Sequence, residues 1–312
     1  MSDTERLRAA FAAIDGANRA DPTTITVRDR TGPKEIVHSD LALEWVRELA
    51  PDADEALLLA ARGHHLRRWT RPRSSEPAGR AGYLRWRKAL HEQHARELGE
   101  LLTGVGYDDA TIARVQAIVR KDDLGRAGAD PATQTLEDAL CLVFLETQLP
   151  EVAAKLEPAT LTRVITKTTE KMSAAGRARI ADVPLGPGAR RLLDEALARD
   201  VVGRYLDALP AHDWDALAST LAPDVDRIGP YRDVYSGREP YATFLRDTLG
   251  ALSGYELAVK RLIADAGTVS VELSETVDDG NGRLHTEESV VFDVADGLIT
   301  HVAVYLQTSE HR

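Results

Sequence analysis

Nine histidines occur in the chain, and five of them lie in its first third, where helices are expected to begin, end or turn. His38 opens one predicted helix, and His64 and His65 close the next. His91 and His94 are one helical turn apart on a third, so both side chains can face one site. Neutral imidazoles together with carboxylates are ligands for Fe, Mn and Zn. These residue types predict a divalent metal site.

A buried carboxylate is expected to complete the ligand set. Asp138 lies on a strongly apolar predicted helix, on the same face as Cys141 and Leu142. A carboxylate on such a face is costly unless it is paired or binds a metal. Any single histidine of this kind is more often a core residue bonded to a carbonyl, so the ordered set carries the prediction. Metal–ligand bonds near 2 Å require the ligand atoms to converge within about 5 Å.

A basic segment follows the paired histidines directly. Residues 62–96 contain ten basic residues, nine of them arginine, against two acidic ones. Arginine binds phosphate and carboxylate through a planar fork of donors, so we expect a small anionic substrate here. The residues predicted to bind it are Arg68, Arg71, Arg73, Ser74 and Arg85, and those given catalytic roles are His65 and Arg67. The alternatives are a solvated arginine-rich surface, or salt bridges to the acidic C-terminal part.

Composition restricts the class of protein. The formal net charge is −11, of which −1 falls in residues 1–200 and −10 in residues 201–312. Nucleic-acid binding by the whole surface is therefore disfavoured, although a local anion site is not. The single cysteine excludes a disulfide framework and a multi-thiolate zinc site. We see neither a membrane span, nor a signal peptide, nor a nucleotide-binding signature, so a cytoplasmic protein without membrane contact or nucleotide cofactor is expected.

The periodicity of apolar residues predicts two domains of unlike class. An all-α domain is expected over residues 1–181, followed by a linker rich in Pro and Gly at 182–191 and a second domain at 192–312. Few strands are expected before residue 180. In the second domain, two helices precede strand-like runs that turn signals separate at hairpin spacing, which predicts an α+β domain.

Three strings in the first domain resemble one family. AARGHHLRRWTRPRSSEPAGRAGYLRWR, RVQAIVRKDDL and QTLEDALCLVFLE are similar to the family catalogued as domain of unknown function 4202. The order of histidines and aspartate also resembles the HD superfamily of helical metalloproteins, whose pattern is H…HD…D. This resemblance implies an HD-like architecture with the metal ligands His38, His64, His65, His91, His94 and Asp138. At His65 the superfamily has Asp, and a neutral imidazole does not bridge two metals as a carboxylate does.

The second domain resembles the SnoaL-like, nuclear-transport-factor-2-like superfamily. The strings that carry the resemblance are RYLDAL, HDWDALASTLAPDV, IGPYRDVYSGREPYATFL and VVFDVADGLITHVAVYL. It implies an α+β cone, formed by a curved antiparallel sheet and helices around an open pocket, and a homodimer formed through this domain. Pocket candidates are Asp224 and His301 as catalytic residues, Tyr231 and Tyr305 as substrate-binding residues, and Asp233, His285 and Glu287.

Three functions remain open at this point. The first is a metal-dependent enzyme in the N-terminal domain, most simply a hydrolase of a phosphate ester or similar anion, with an iron-dependent oxygenase as second choice. The second is acid–base chemistry in the C-terminal cone: cyclisation, isomerisation or dehydration of an apolar molecule. The third is a non-enzymatic protein that binds an anion or RNA through the arginine segment.

Overall fold

Helices make up most of the first two thirds of the chain and strands most of the last third. The computed structural model describes residues 2–250, 252–278, 280 and 282–311, with only the backbone of Ser253 and of 308–311. The helices are α1 (Asp3–Asn18), α2 (Lys34–Leu49), α3 (Glu55–Gly63), α4 (Arg80–Val105), α5 (Asp109–Arg120), α6 (Pro131–Thr147), α7 (Leu149–Ala153), α8 (Pro158–Thr169), α9 (Ala174–Ala178), α10 (Pro187–Ala211), α11 (Trp214–Ser219) and α12 (Arg238–Leu249). The strands are β1 (Thr24–Val27), β2 (Arg30–Pro33), β3 (Leu221–Ile228), β4 (Val234–Ser236), β5 (Ser253–Asp265), β6 (Thr268–Asp278), β7 (Arg283–Ala295) and β8 (Leu298–His311).

The chain forms two compact units whose boundary is crossed more than once. One unit contains residues 1–149 and 169–184, and the other contains residues 150–168 and 185–312. The predicted division placed all of α8 in the first domain. In the structure α8 is tied to α10, because Thr166 Oγ1 donates a hydrogen bond to Asp200 Oδ1 at 2.8 Å. α10 also begins at Pro187, inside the predicted linker, since proline is well tolerated in the first turn of a helix.

The N-terminal unit is helical apart from one hairpin. The apolar stripe of α2 is buried at Leu41, Ala42 and Val46, and α6 is buried along most of its length. The hairpin of β1 and β2 pairs antiparallel and was not predicted, because each strand has only four residues, all exposed or half-buried, and lacks a long apolar run. Among the described residues, no helix combines the length and apolar character needed to cross a membrane.

The C-terminal unit has the α+β cone expected from the sequence. Its six-stranded sheet has the order β4-β3-β8-β7-β6-β5. β5 to β8 form an antiparallel meander, and β3 joins it parallel to β8. The concave face packs Val271, Val290 and Phe292 against helices α10 and α12, which contribute Tyr205 and Tyr241. This inner face and its helices form the hydrophobic core of the unit.

Candidate metal centre

Two buried groups come from the first turns of α2. The helix is predicted to open at His38 but begins four residues earlier, which adds Glu35 one turn before His38 on the same face. The backbone N–H of Glu35 donates to Asp21 Oδ2 at 3.0 Å, so the loop before the hairpin holds this end of α2 in place. Glu35 and His38 are only 3% and 2% exposed.

The paired histidines follow the last residue of α3, and a glycine brings them close to α4. A Cβ on Gly63 would lie 2.6 Å from the methyl carbons of Leu98, so only glycine permits this approach without a shift. Leu98 is one turn beyond His94, which places the end of α3 beside that histidine. The chain then turns through Arg67 at φ 50°, and its N–H donates to Asn18 Oδ1 at 2.9 Å. Helices α1, α3 and α4 thus fix the positions of these imidazoles together.

Four imidazoles and one carboxylate form what we call the histidine cluster: Glu35, His38, His64, His65 and His94. His65 lies at its centre, with its ring centroid 4.1 Å from that of His64 and 5.7 Å from that of His94. The ring of His38 is 6.4 Å away. Glu35, His38 and His65 each offer a ligand atom, and these three atoms lie within 4.8 Å of one another. That spacing meets the convergence that a metal ion requires.

Hydrogen bonds set the orientation of two of the rings. His65 Nδ1 donates to Glu35 Oε2 at 3.0 Å, and His38 Nδ1 lies 3.6 Å from the same oxygen. His64 Nδ1 donates to the carbonyl of Ala61 at 2.8 Å. A ring nitrogen held in this way leaves the lone pair on the opposite nitrogen, the arrangement found at metal-binding histidines.

Several buried nitrogens of the cluster have no partner. Within the described part of the chain, His38 Nε2, His64 Nε2 and both ring nitrogens of His94 are buried without a hydrogen bond. Leaving a buried polar atom unpaired costs about 1–3 kcal/mol. Several such atoms gathered in one place are rare in a native interior. The cluster therefore presents the donor set of a metal site.

The protonation states of the cluster suit metal binding. Burial lowers the pKa of His64 to about 4 and that of His94 to about 3. Burial, and then the neighbouring His64, lowers the pKa of His65 well below its usual value. Burial raises the pKa of Glu35, but attraction to His65 and hydrogen bonding by His38 outweigh this and bring it below the ordinary range. Neutral imidazoles and an ionised carboxylate are the forms that bind metals.

The family model described as a domain of unknown function, DUF4202, matches residues 8–193, more than half of the chain. The chain belongs to this family. A second model, of the SnoaL-like domain, matches residues 202–302. The helical part is thus a DUF4202 domain and the cone a SnoaL-like domain, which confirms the resemblances to these two families; the resemblance to the HD superfamily stays a prediction. No curated protein matches the chain.

Several solved structures are similar to part of this chain. An LEH-like epoxide hydrolase of M. tuberculosis is 28% identical, covers 36% of this chain and 85% of its own, and has a TM-score of 0.34. An NTF2-like protein of unknown function from Burkholderia xenovorans is 16% identical, with coverages of 38% and 90% and a TM-score of 0.33. A third, from Cytophaga hutchinsonii, is 20% identical, with coverages of 35% and 89% and a TM-score of 0.31.

Asp138, predicted as a ligand, has other partners in the DUF4202 domain. Its carboxylate accepts hydrogen bonds from the N–H of Ser173 at 2.8 Å, from the Ser173 hydroxyl at 2.6 Å and from Gln134 Nε2 at 2.9 Å. A Cβ on Gly176 would lie 2.5 Å from Asp138 Cγ, so α9 packs directly on this carboxylate. Among the described residues, the carboxylate whose oxygen joins the histidine ligand atoms is that of Glu35, not Asp138. The spacing Glu35-x-x-His38 puts both side chains on one face of a helix and could have indicated Glu35. It was missed because the predicted helix begins at His38, four residues after the true start of α2.

His91 faces a surface cavity with the cationic residues Arg87 and Lys121. Burial, and then the charges of Lys121 and Arg87, lower the pKa of His91 to about 4. A hydrogen bond to the backbone of Arg120 opposes this shift. The structure thus separates the two histidines that the sequence paired: His94 contacts His65, and His91 lines the cavity.

Most of the predicted anion-binding arginines are engaged within the DUF4202 domain. Arg73 donates to the carbonyl oxygens of Glu76 and Pro77 at 2.9 and 3.0 Å, and Arg85 donates to Glu76 Oε2 at 3.0 Å. Arg71 donates to Gln93 Oε1 at 3.1 Å. These three guanidinium groups are therefore already bonded within the domain.

The other residues of the predicted anion site are Arg67, Arg68 and Ser74, and of these only Arg68 lies beside the histidine cluster. Arg68 lies beside the cluster, with Nε 3.8 Å from Glu35 Oε1 and its guanidinium 5.2 Å from the ring centroid of Trp86. Arg67 contacts Glu97 at 3.5 Å, and Ser74 is exposed on a single 3₁₀ turn. Of the predicted arginines, Arg68 is the one that contacts a member of the histidine cluster.

The predicted pocket residues of the SnoaL-like domain lie mostly on its outside. Asp224 is exposed, and Tyr231 and Tyr305 are 83% and 59% exposed. His301 and Tyr305 line an open groove of about 420 Å³ beside β3 and β8. Strand alternation sorted side chains into two faces, but it could not say which face the helices would cover.

The outer face also holds a small polar network. His285 bonds to Glu287 at 2.9 Å and to Thr276 at 3.0 Å. Asp233 is the predicted pocket residue that reaches a buried group, because it forms an ion pair with Arg227.

Sequence reasoning missed the polar groups inside the cone. Glu275 on β6 pairs in register with Thr286, so Glu288 on β7 is its diagonal neighbour on the inner face. Tyr255 Oη donates to Glu275 Oε1 at 2.5 Å. Burial raises the pKa of Glu275, and burial together with Glu275 raises the pKa of Glu288 to about 7. In the sequence, these glutamates stand in strands of alternating polar and apolar residues. That they point into the cone follows only from the register of the sheet.

Proposed function

We propose that the DUF4202 domain binds a divalent transition-metal ion in the histidine cluster and hydrolyses an ester of a small anionic molecule there. The observation that carries the proposal is the set of buried imidazole nitrogens without partners, gathered around His65 and an ionised Glu35. Nitrogen and carboxylate donors of this kind suit Fe, Mn and Zn. A bound ion removes the cost of leaving these nitrogens unpaired.

The chain's own groups have separable tasks in this proposal. A divalent ion in such a site supplies Lewis-acid activation of water and of the ester. His64 Nε2 would be available to the ion, because the Nδ1–H of His64 is held by the carbonyl of Ala61. Glu35 holds the Nδ1–H of His65, which leaves His65 Nε2 to accept or release a proton. The side chain of His65 is 27% exposed and that of His38 is 3%, so His65 is accessible to a substrate.

Arg68 supports the same assignment from the edge of the cluster. Its guanidinium lies near Glu35 and over Trp86, and its side chain is 34% exposed. A partly exposed arginine beside the ligands places a positive charge where negative charge develops during ester hydrolysis. This is the position in which an arginine stabilises a transition state.

The test is metal analysis of the full chain, purified without added metal or histidine tag. We expect about one metal ion per chain in the wild type, and loss of that metal in His38→Ala, His64→Ala and His94→Ala. The metal should be retained in His91→Ala, the matched control for His94 one turn away on α4. Hydrolysis of aryl phosphate esters should follow metal content across these proteins. A wild type that contains no metal, and whose melting temperature does not rise with Mn, Fe or Zn, would contradict the proposal.

A second candidate function is proton transfer on an apolar carbonyl compound inside the SnoaL-like cone. The observation that favours it is the diagonal pair Glu275 and Glu288 on the inner face, with Tyr255 hydrogen-bonded to Glu275. A carboxyl whose pKa is raised to about 7 is suited to give and take protons at neutral pH. Arg227 adds a buried Nε without a partner among the described residues.

Proton exchange at the α-carbon of small apolar ketones, followed by NMR in D₂O, tests this second function. Exchange catalysed by the wild type should be lost in Glu288→Gln. It should persist in Glu287→Gln, because Glu287 bonds to Lys260 and His285 on the outer face. It should also persist in His64→Ala. Equal rates in Glu288→Gln and the wild type would exclude the cone carboxylates as the catalyst.

A further inference from the structure

The DUF4202 domain has a cationic cavity that the sequence prediction did not identify. The cavity has a volume of about 300 Å³ and is lined by α4 and by the end of α5. Arg87 and Lys88 line it from α4, and Arg120 and Lys121 from α5. The predicted arginine site was the loop before α4, where most of the guanidinium groups are already bonded.

The charges on this cavity are not balanced. Arg120 is paired with Asp122 at 2.9 Å, and Lys121 with the buried Glu137. Neither Arg87 nor Lys88 forms an ion pair or a hydrogen bond with any residue that the structure describes. The wall also carries two carboxylates, the exposed Glu92 and the Asp122 that is already paired with Arg120.

The single buried carboxylate behind the wall faces more than one cation. Burial raises the pKa of Glu137, and the charges of Lys121, Lys171 and Arg87 together bring it below its usual value. Glu137 thus faces three cations. With Asp122 paired to Arg120, Glu92 is the remaining carboxylate on the wall beside Arg87 and Lys88, so positive charge still exceeds negative charge on this side of the domain. Such an excess beside a cavity favours an anionic ligand.

The cavity adjoins the histidine cluster. His91 lines it, and His94 of the cluster is the next residue along the same face of α4, one turn away. A ligand in the cavity is therefore within the length of a small molecule from the cluster.

We infer that this cavity binds a phosphate group of the substrate, held by Arg87 and Lys88, while the rest of the molecule reaches the histidine cluster. A phosphate carries a charge of about −1.5 to −2, which two unpaired cations match. Arginine offers a bidentate fork and lysine a point charge, and both are common phosphate ligands. This inference rests on the proposed function for the reaction of the substrate at the histidine cluster. The binding of phosphate in the cavity does not depend on that function.

The test uses inorganic phosphate and the full chain after removal of metal by a chelator, so that binding at the histidine cluster does not contribute. Isothermal titration at low ionic strength should show binding to the wild type. The double variant Arg87→Gln, Lys88→Gln should bind at least about tenfold more weakly, because both unpaired cations are lost. Binding should weaken with salt.

The matched control is the double variant Arg85→Gln, Arg96→Gln, which removes the same charge from the same helix. Arg85 is already bonded to Glu76, and Arg96 lies near Glu97 and Glu100. Unchanged phosphate affinity in the control, with equal melting temperatures for both variants, supports the cavity. Equal losses in both variants, or no phosphate binding to the metal-free wild type, would overturn the inference. Phosphate binding by a chain that never takes up metal would contradict the proposed function and leave this site standing.

Discussion

The histidine cluster and the interior of the cone both bury polar groups, but they satisfy them differently. In the cluster, imidazole nitrogens of His38, His64 and His94 are buried without a partner among the described residues. In the cone, most buried polar side chains are paired: Tyr205 bonds to Tyr241 and Tyr255 bonds to Glu275, although Arg227 Nε lacks a partner in the described part of the chain. A region whose polar groups satisfy one another is stable on its own, whereas one with unpaired donors gains stability from a ligand. This difference predicts that the two regions respond differently to the same treatments.

The largest expected effect is on the core of the cone. Phe292 is fully buried, and its ring lies 5.4 Å from that of Tyr205 in an edge-on arrangement. Phe292→Ala should lower the free energy of unfolding of the C-terminal unit by about 3–5 kcal/mol, because it leaves a cavity. Urea unfolding followed by regional hydrogen exchange measures this. Metal content should not change, and a loss of metal in this variant would show that the two regions are coupled.

Removal of metal by a chelator should destabilise the N-terminal unit, which contains the histidine cluster. If free metal is at 100 times its dissociation constant, its removal costs the N-terminal unit about 2.7 kcal/mol. Hydrogen exchange should therefore speed up in α2, α3 and α4 after chelation and stay constant in β5 to β8. His64→Ala should show no response to the chelator. Equal destabilisation of both units by the chelator would contradict the prediction that metal stabilises only the N-terminal unit.

The third prediction concerns pH and the inner carboxyl of the cone. The pKa of Glu288 is raised to about 7 by burial and by Glu275, so between its unfolded pKa and pH 7 the folded state binds more protons than the unfolded state. Stability therefore falls as the pH rises through this range and is constant above it. Glu288→Gln should match the wild type near pH 4 and exceed it at pH 8 by on the order of 2 kcal/mol. Parallel stability curves for the two proteins would contradict the raised pKa.

The smallest effect is expected at the surface arginines. Arg85 is mostly exposed and bonds to Glu76, and exposed ion pairs of this kind contribute about 0–1 kcal/mol. Arg85→Gln should therefore shift the melting temperature little and leave metal content unchanged. A loss of phosphate binding in this variant would return the anion site to the loop that the sequence indicated.

Much of the architecture could be read from apolar spacing. The long helices, the four-stranded meander and the change of class after residue 180 all follow from periods of 3.6 and 2 residues. The hairpin of β1 and β2 could not be predicted in this way, because short strands carry too few residues to show a period. β3 was missed because it joins the sheet parallel to β8, a pairing between distant segments.

The sequence predicted the residue types of the site better than the individual residues that form it. The rings of His38, His64 and His94 lie around that of His65, but they come from α2, the end of α3 and α4, and spacing within one helix does not show that three helices meet. Local spacing alone could not show which carboxylate joins the cluster. The packing of α2 on α3 brings Glu35 to His65, and the packing of α9 on α6 brings Ser173 to Asp138.

By itself, the sequence determined that this protein combines a DUF4202 domain, rich in histidine and arginine, with an acidic SnoaL-like cone. Tertiary structure decided which of those charges are available. Arg73 and Arg85 bond to nearby carbonyl and carboxylate oxygens, whereas Arg87 and Lys88 form no hydrogen bond or ion pair with the residues that the structure describes. The sequence fixes the number of donors, but the pairing of each donor depends on which oxygens the fold brings within about 3 Å of it.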